Sequence, residues 1–139
     1  MPELRPARGA DISRLMEIRA AVRENRLRDL VIAAGDYLPY VQDGRCWVWE
    51  EDGRVQGFAA LDTGTASIWA LFVDPDQEGR GIGRALLDRL TTDARQRGLP
   101  ALTLETAAGT RAERLYLRAG WEIAGRDGAT LRMRLALNA

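Results

Sequence analysis

The chain has 139 residues, 46% of them apolar, and its 20 cationic side chains balance 20 acidic ones. Every cation is arginine, with no lysine and no histidine. This rules out a histidine base, a serine–histidine relay, a phosphate-loop lysine and a Schiff-base lysine within the chain. Zero net charge gives no pull toward nucleic acid or anionic lipid. The lone Cys46 makes no internal disulfide and, with no histidine beside it, no zinc site. No run approaches the ~18 apolar residues of a membrane span, and Met1-Pro2-Glu3-Leu4-Arg5 lacks the apolar stretch of a signal peptide. The expectation is a single domain over residues 1–139, cytoplasmic, without metal, nucleic-acid partner or membrane.

In chain order, a short strand is predicted around Glu3 to Pro6. Asp11 then caps a helix whose apolar positions Ile12, Leu15, Met16, Ile18 and Val22 fall at helical spacing, in a pattern that runs on to about Leu30. Gly35-Asp36-Tyr37-Leu38-Pro39 is read as a break. Cys46 to Glu50 alternates as a strand, the Asp52-Gly53 pair signals a tight hairpin, Val55 to Leu61 returns as a second strand and Ser67 to Val73 forms a third. Ala85, Leu86, Leu87, Leu90 and Ala94 restore helical spacing from Gly83 to Arg97, stopped by Gly98 and Pro100. Leu102 to Glu105 is a short strand. Thr110 and Glu113 have the spacing of a capping box for a helix through Arg118, ended by Gly120. Strands near Glu122 to Ala124 and from Thr130 to Leu137 flank Asp127-Gly128. The pattern is that of an α+β domain with a mixed sheet.

Chemistry concentrates between the third strand and the following helix, in Val73-Asp74-Pro75-Asp76-Gln77-Glu78-Gly79-Arg80-Gly81-Ile82-Gly83-Arg84. Alternating glycines at a helix start leave backbone amides bare where the helix dipole favours an anion, a place for a pyrophosphate. Arg80 and Arg84 add charge at its rim. A triphosphatase loop needs Gly-Lys-Ser/Thr, and a dinucleotide fingerprint needs glycine where Arg84 or Leu86 stands, so neither fits.

These residues resemble the GNAT acetyltransferase superfamily. The chain is similar to its signature at Val73-Asp74-Pro75 with Glu78-Gly79-Arg80-Gly81-Ile82-Gly83, and again at Ala112-Glu113-Arg114-Leu115-Tyr116-Leu117-Arg118-Ala119-Gly120-Trp121. It departs from the family where Glu78 replaces glutamine or arginine, and where Gly109 stands at a frequent asparagine. The resemblance implies an α+β GNAT fold, with a mixed, mostly antiparallel sheet of six to seven strands flanked by about four helices. It implies acetyl-CoA as co-substrate, lying between two splayed parallel strands. Its pantetheine arm would lie along Leu71, Phe72 and Val73, and its pyrophosphate on Gly79, Arg80, Gly81, Ile82, Gly83 and Arg84. The amide near Phe72 or Val73 would polarise the thioester carbonyl.

The same resemblance makes Tyr116 the general acid toward the departing thiolate. The strand Ser67 to Leu71 offers no carboxylate, which leaves Glu105, at the end of the next strand, as the base, with deprotonation by solvent as the alternative. The implied reaction is acetyl transfer to the amine of a small molecule or peptide. A catalytically silent acyl-CoA-binding sensor of the same fold is the competing reading. Arg19, Arg23 and Arg26 share a helix face that, if it lines the groove, favours an acceptor also carrying an anionic group. Trp47, Trp49, Trp69, Tyr37 and Tyr40 are candidates for an aromatic pocket, or for core. The exposed edges of such a sheet leave room for a homodimer.

Overall fold

The computed structural model describes residues 2–22 and 33–137. Its strands are β1 (Glu3–Pro6), β2 (Cys46–Glu51), β3 (Arg54–Asp62), β4 (Ser67–Val73), β5 (Ala101–Ala107), β6 (Glu122–Asp127) and β7 (Thr130–Ala136). Its helices are α1 (Ile12–Ala21), α2 (Ala34–Gln42), α3 (Ile82–Gln96) and α4 (Arg111–Arg118). The strands form one sheet in the order β1-β2-β3-β4-β5-β7-β6, antiparallel throughout except for the parallel β4–β5 pair.

Alternation along the strands divides the core in two. One face of the sheet packs against α3 and α4, where Ala59, Leu61, Leu102, Leu104, Leu131 and Met133 meet Ile82, Leu86, Leu87, Leu90 and Tyr116. On the other face Val48, Phe58, Ala60 and Ala70 meet Leu15 and Ile18 of α1 and Tyr37 of α2. Asp52 and Gly53, at φ 56° and 73°, make the left-handed turn that closes β2 onto β3.

Three local expectations are corrected. Asp11 does not cap α1: its carboxylate turns back to the Arg8 amide at 2.7 Å and takes the Arg5 guanidinium at 2.9 and 3.0 Å, closing a one-turn 3-10 segment before the helix. The first helix does not run on to Leu30, because Val22 is already extended; the rest of that stretch, with Arg23 and Arg26, lies outside the described residues. Gly35 to Pro39, read as a break, lies inside α2. There the Asp36 carboxylate accepts from the Ala33 amide at 2.8 Å. Tyr37 is buried against Phe58 and Trp69, and that tertiary burial outweighs the bond Pro39 cannot donate. Among the described residues no helix is long and apolar enough to cross a membrane.

Candidate functional site

β4 and β5 share one register pair, Ser67 with Thr103, beside the Thr103 amide donating to the Ala66 carbonyl at 3.0 Å. Beyond it the strands part, and their C-terminal halves bound a groove of about 1040 Å³, at the upper end of the roughly 300–1,000 Å³ usual for small-molecule sites. The Asp74 amide donates to Gln56 on β3 at 2.8 Å. Strand alternation therefore turns the Phe72 amide toward β3 as well, and points the N–H and C=O of Leu71 and Val73 into the gap. Leu71, Phe72 and Val73 all line the groove. Of the Phe72 and Val73 amides, only that of Val73 faces the gap.

The glycine loop closes one end. Asp74 starts it by accepting from the Asp76 amide at 3.0 Å, which folds Pro75–Gln77 into a 3-10 turn. Gly79 and Gly81 have φ of 79° and 84°, a region costly for other residues, and Gly81 is the N-cap of α3. A Cβ on either would meet nothing within 4 Å, so the loop is open on that side, and the first amides of a helix have no partner within it, which is what an anion cradle uses. A Cβ on Gly83 would come within 3.3 Å of Leu115 and 3.6 Å of Val73. Its absence lets α3 sit tight against α4 and β4. Gly79, Gly81, Ile82, Gly83 and Arg84 line the groove.

Arg80 does not line it. Its guanidinium turns away to hold Glu51 at 2.8 and 2.9 Å and Gln77 at 2.6 Å, and holds the Glu51 carboxyl below its ordinary range. The Arg84 guanidinium pairs with Asp88 at 3.1 Å. Glu78, the departure from the family signature, pairs with Arg111 of α4 at 3.2 Å, so the negative charge at the loop has a counterion. Gly109 gives its amide to Glu113 at 2.7 Å while Thr110 caps the Glu113 amide at 3.2 Å, a capping box displaced by one residue. Thr106 lines the groove beside them.

Tyr116 reaches the groove from α4. It is buried, its ring is 5.4 Å from Trp121, and burial pushes its phenol above the ordinary 10, so it carries its proton throughout the neutral range. Glu105 reaches the same groove from the opposite side, since Leu102 and Leu104 face α3 and the alternation along β5 turns Glu105 the other way. Cys46 is buried and its thiol is pushed up to about 12, by desolvation first and then by Asp11. It does not line the groove, and it is no nucleophile at neutral pH.

Of the remaining sequence candidates, Arg19 lines the groove with its guanidinium 4.9 Å from the rings of Trp69 and Phe72. Tyr40 stacks on Trp69 at 4.3 Å and Tyr37 meets it edge-on at 5.1 Å. These, with Trp47 and Trp49, are packing residues, and Trp69 alone among them reaches the groove. Sequence reasoning singled out Asp74 only as part of the signature, and it missed Arg14, which anchors the loop through Asp74, and Arg132 and Arg134, which line the groove from β7. The signal for the last two was the alternation Leu131-Arg132-Met133-Arg134-Leu135. Among the described residues no cluster of histidine, cysteine and carboxylate side chains could hold a metal.

Residues 13–121 match the model of the Acetyltransferase (GNAT) family. The chain belongs to that family. The peptidyl-lysine N-acetyltransferase YiaC of Escherichia coli (strain K12) is 33% identical over 95 residues, which are 63% of this GNAT chain and 63% of YiaC. The fold matches the PaiA N-acetyltransferase of Thermoplasma acidophilum in complex with coenzyme A, with a TM-score of 0.81, 15% identity and coverage of 98% and 99% of the two chains. It also matches YncA of Salmonella typhimurium with its cofactor acetyl-CoA, with a TM-score of 0.77, 22% identity and coverage of 100% and 95%. This is the GNAT fold, α+β, with seven strands and four helices among the described residues.

Proposed function

We propose that this GNAT chain transfers the acetyl group of acetyl-CoA to a primary amine by direct attack in a ternary complex. The observation that carries this reading is the gap between β4 and β5, with unpaired backbone groups of Leu71 and Val73 along one edge and the bare amides of the glycine loop at its end. An extended pantetheine arm adds to such an edge as a strand would, and the helix start takes the pyrophosphate.

In this scheme the amine nitrogen attacks the thioester carbonyl carbon, a C–N bond forms and the C–S bond breaks. The Val73 amide stabilises the oxygen as charge develops on it. Glu105 takes the proton released by the amine, and the buried Tyr116 phenol gives one to the departing thiolate. The products are the amide and free coenzyme A. Glu105 and Tyr116 enter from opposite sides, which suits a reaction in which acceptor and leaving group occupy opposite sides of the carbonyl. The buried, high-pKa Cys46 speaks against an acyl-enzyme.

The acceptor is an amine on a small molecule or a peptide, and the peptidyl-lysine acceptor in the name of YiaC favours the peptide. We place the protein in the cytoplasm, where acetyl-CoA is made available.

Thermal unfolding with acetyl-CoA, NAD and ATP in separate samples tests the co-substrate. At about 100 times its dissociation constant, a true ligand adds about 2.7 kcal/mol and raises the midpoint by several degrees. A rise with acetyl-CoA alone supports the reading. Thiol release with amine acceptors then separates a transferase from a silent acyl-CoA sensor, which would show the midpoint rise without release.

A further inference from the structure

We propose that Arg132 and Arg134 of β7 form the acceptor subsite and select an amine that also carries a carboxylate. This rests on the transfer reading above and adds the acceptor's chemical class. β5 and β7 are in register, with Glu105 opposite Arg132 and Thr103 opposite Arg134. Leu131 and Met133 are buried on the α3 and α4 side, so Arg132 and Arg134 project from the other face with Thr103 and Glu105, and all four are exposed there. That face also carries Phe72 and, from α1, Arg19. Both β7 arginines line the groove.

They lack the close ion pairs that hold the arginines at the phosphate end. Arg84 has Asp88 and Arg111 has Glu78, whereas neither Arg132 nor Arg134 forms an ion pair with a described residue. Glu105 and Glu122 face them across the ladder in register without pairing.

For Arg132 the reason is steric. Its guanidinium lies over Gly125 of β6, at the bulge between Ile123 and Gly125; a Cβ there would stand 2.7 Å from Cζ and 2.8 Å from Nε. Glycine at 125 thus provides the seat that draws Arg132 toward β6. The Glu105 carboxylate stays clear to take a proton, and the guanidinium stays clear to hold an anion. Directly opposed residues stand about 5 Å apart across a ladder, and successive same-face residues about 7 Å apart along it. An acceptor whose amine lies at Glu105 therefore reaches the arginines with a carboxylate several bonds away, which two guanidinium forks can grip.

The experiment compares matched pairs that differ only in that charge: glycylglycine against glycylglycinamide, and 4-aminobutyrate against 4-aminobutyramide. Steady-state thiol release is measured for the wild-type chain, for Arg132→Gln with Arg134→Gln, and for Gly125→Ala, each checked for folding by thermal unfolding. Equilibrium binding of the same pairs is measured by calorimetry with coenzyme A present. The wild type is expected to favour the acids about 10-fold to 100-fold, as charge-assisted hydrogen bonds allow. The preference should appear in KM more than in kcat, collapse toward unity in the double variant and shrink in Gly125→Ala, which displaces Arg132 alone. No acid preference in the wild type, or a preference kept by the double variant, overturns the proposal. Equal thiol release from acids and amides would leave acetyl transfer standing and remove the subsite. No release from any amine, with the acid preference still seen by calorimetry, would remove the transfer reading and keep the subsite.

Discussion

The Arg14 guanidinium of α1 holds the Asp74 carboxylate at 2.6 Å and the Val55 carbonyl at 2.8 Å. Asp74 is the central residue of Val73-Asp74-Pro75, and its other oxygen starts the turn that leads into the glycine loop. One guanidinium thus ties the first helix to β3 through Val55 and to the start of the loop through Asp74. Both side chains are mostly buried, 18% and 17% exposed, so losing one partner leaves a poorly solvated charge. Arg14→Ala is expected to destabilise the fold by about 2 kcal/mol and to weaken acetyl-CoA binding, read by urea unfolding and by titration of the coenzyme.

The same pair gives a pH signature. Desolvation raises the Asp74 carboxyl, but bonds from the Asp76 amide and Arg14 outweigh it and leave it below its ordinary 3.8. Asp11 is lowered likewise, against its own desolvation, by Arg5 and the Arg8 amide. The folded chain then binds fewer protons than the unfolded one at acid pH, so this stability is complete above about 4 and is lost as pH falls through the lower folded values. Urea midpoints should be insensitive to these groups from pH 8 to 5 and drop below 4. Asp74→Asn should be less stable than the wild type at pH 7, with the difference closing toward pH 2.

Tyr116→Phe keeps the ring against Trp121 and removes the proton. Turnover is expected to fall by about 10² to 10⁴, while the dissociation constant of acetyl-CoA changes by less than about threefold. Equal turnover would dismiss Tyr116 as the acid. Glu105→Gln should lower kcat/KM for the amine acceptor while leaving the dissociation constant of acetyl-CoA within about threefold, read by thiol release and by titration of the coenzyme.

Gly81→Ala isolates the backbone of the loop. A methyl there would touch nothing within 4 Å, but the native φ of 84° is costly for alanine, so any effect comes from conformation, about 1 kcal/mol or more. The midpoint rise with acetyl-CoA should shrink as the loop relaxes to a negative φ and its amides turn away. Cys46, by contrast, is expected to leave turnover untouched when treated with a thiol-blocking reagent in the native state, because it is buried and protonated.

Local patterns carried much of this protein in the sequence. Asp52-Gly53 needs only its own turn to form, α3 needs only its 3.6-residue apolar period, and Gly79, Gly81 and Gly83 declare a bare helix start within five residues. Tyr116 was visible through the motif around it. Long-range contacts decided what those patterns could not. Tyr37 packs on Phe58 and Trp69 and makes a helix of a segment holding Gly35 and Pro39. Glu51 draws Arg80 off the groove from across the sheet. Pairing of β4 with β5 at a single register position opens the gap, and the β5–β7 register sets Arg132 beside Glu105. Side-chain direction depends on which strand lies alongside and which partner is within reach, and those neighbours are distant in the chain.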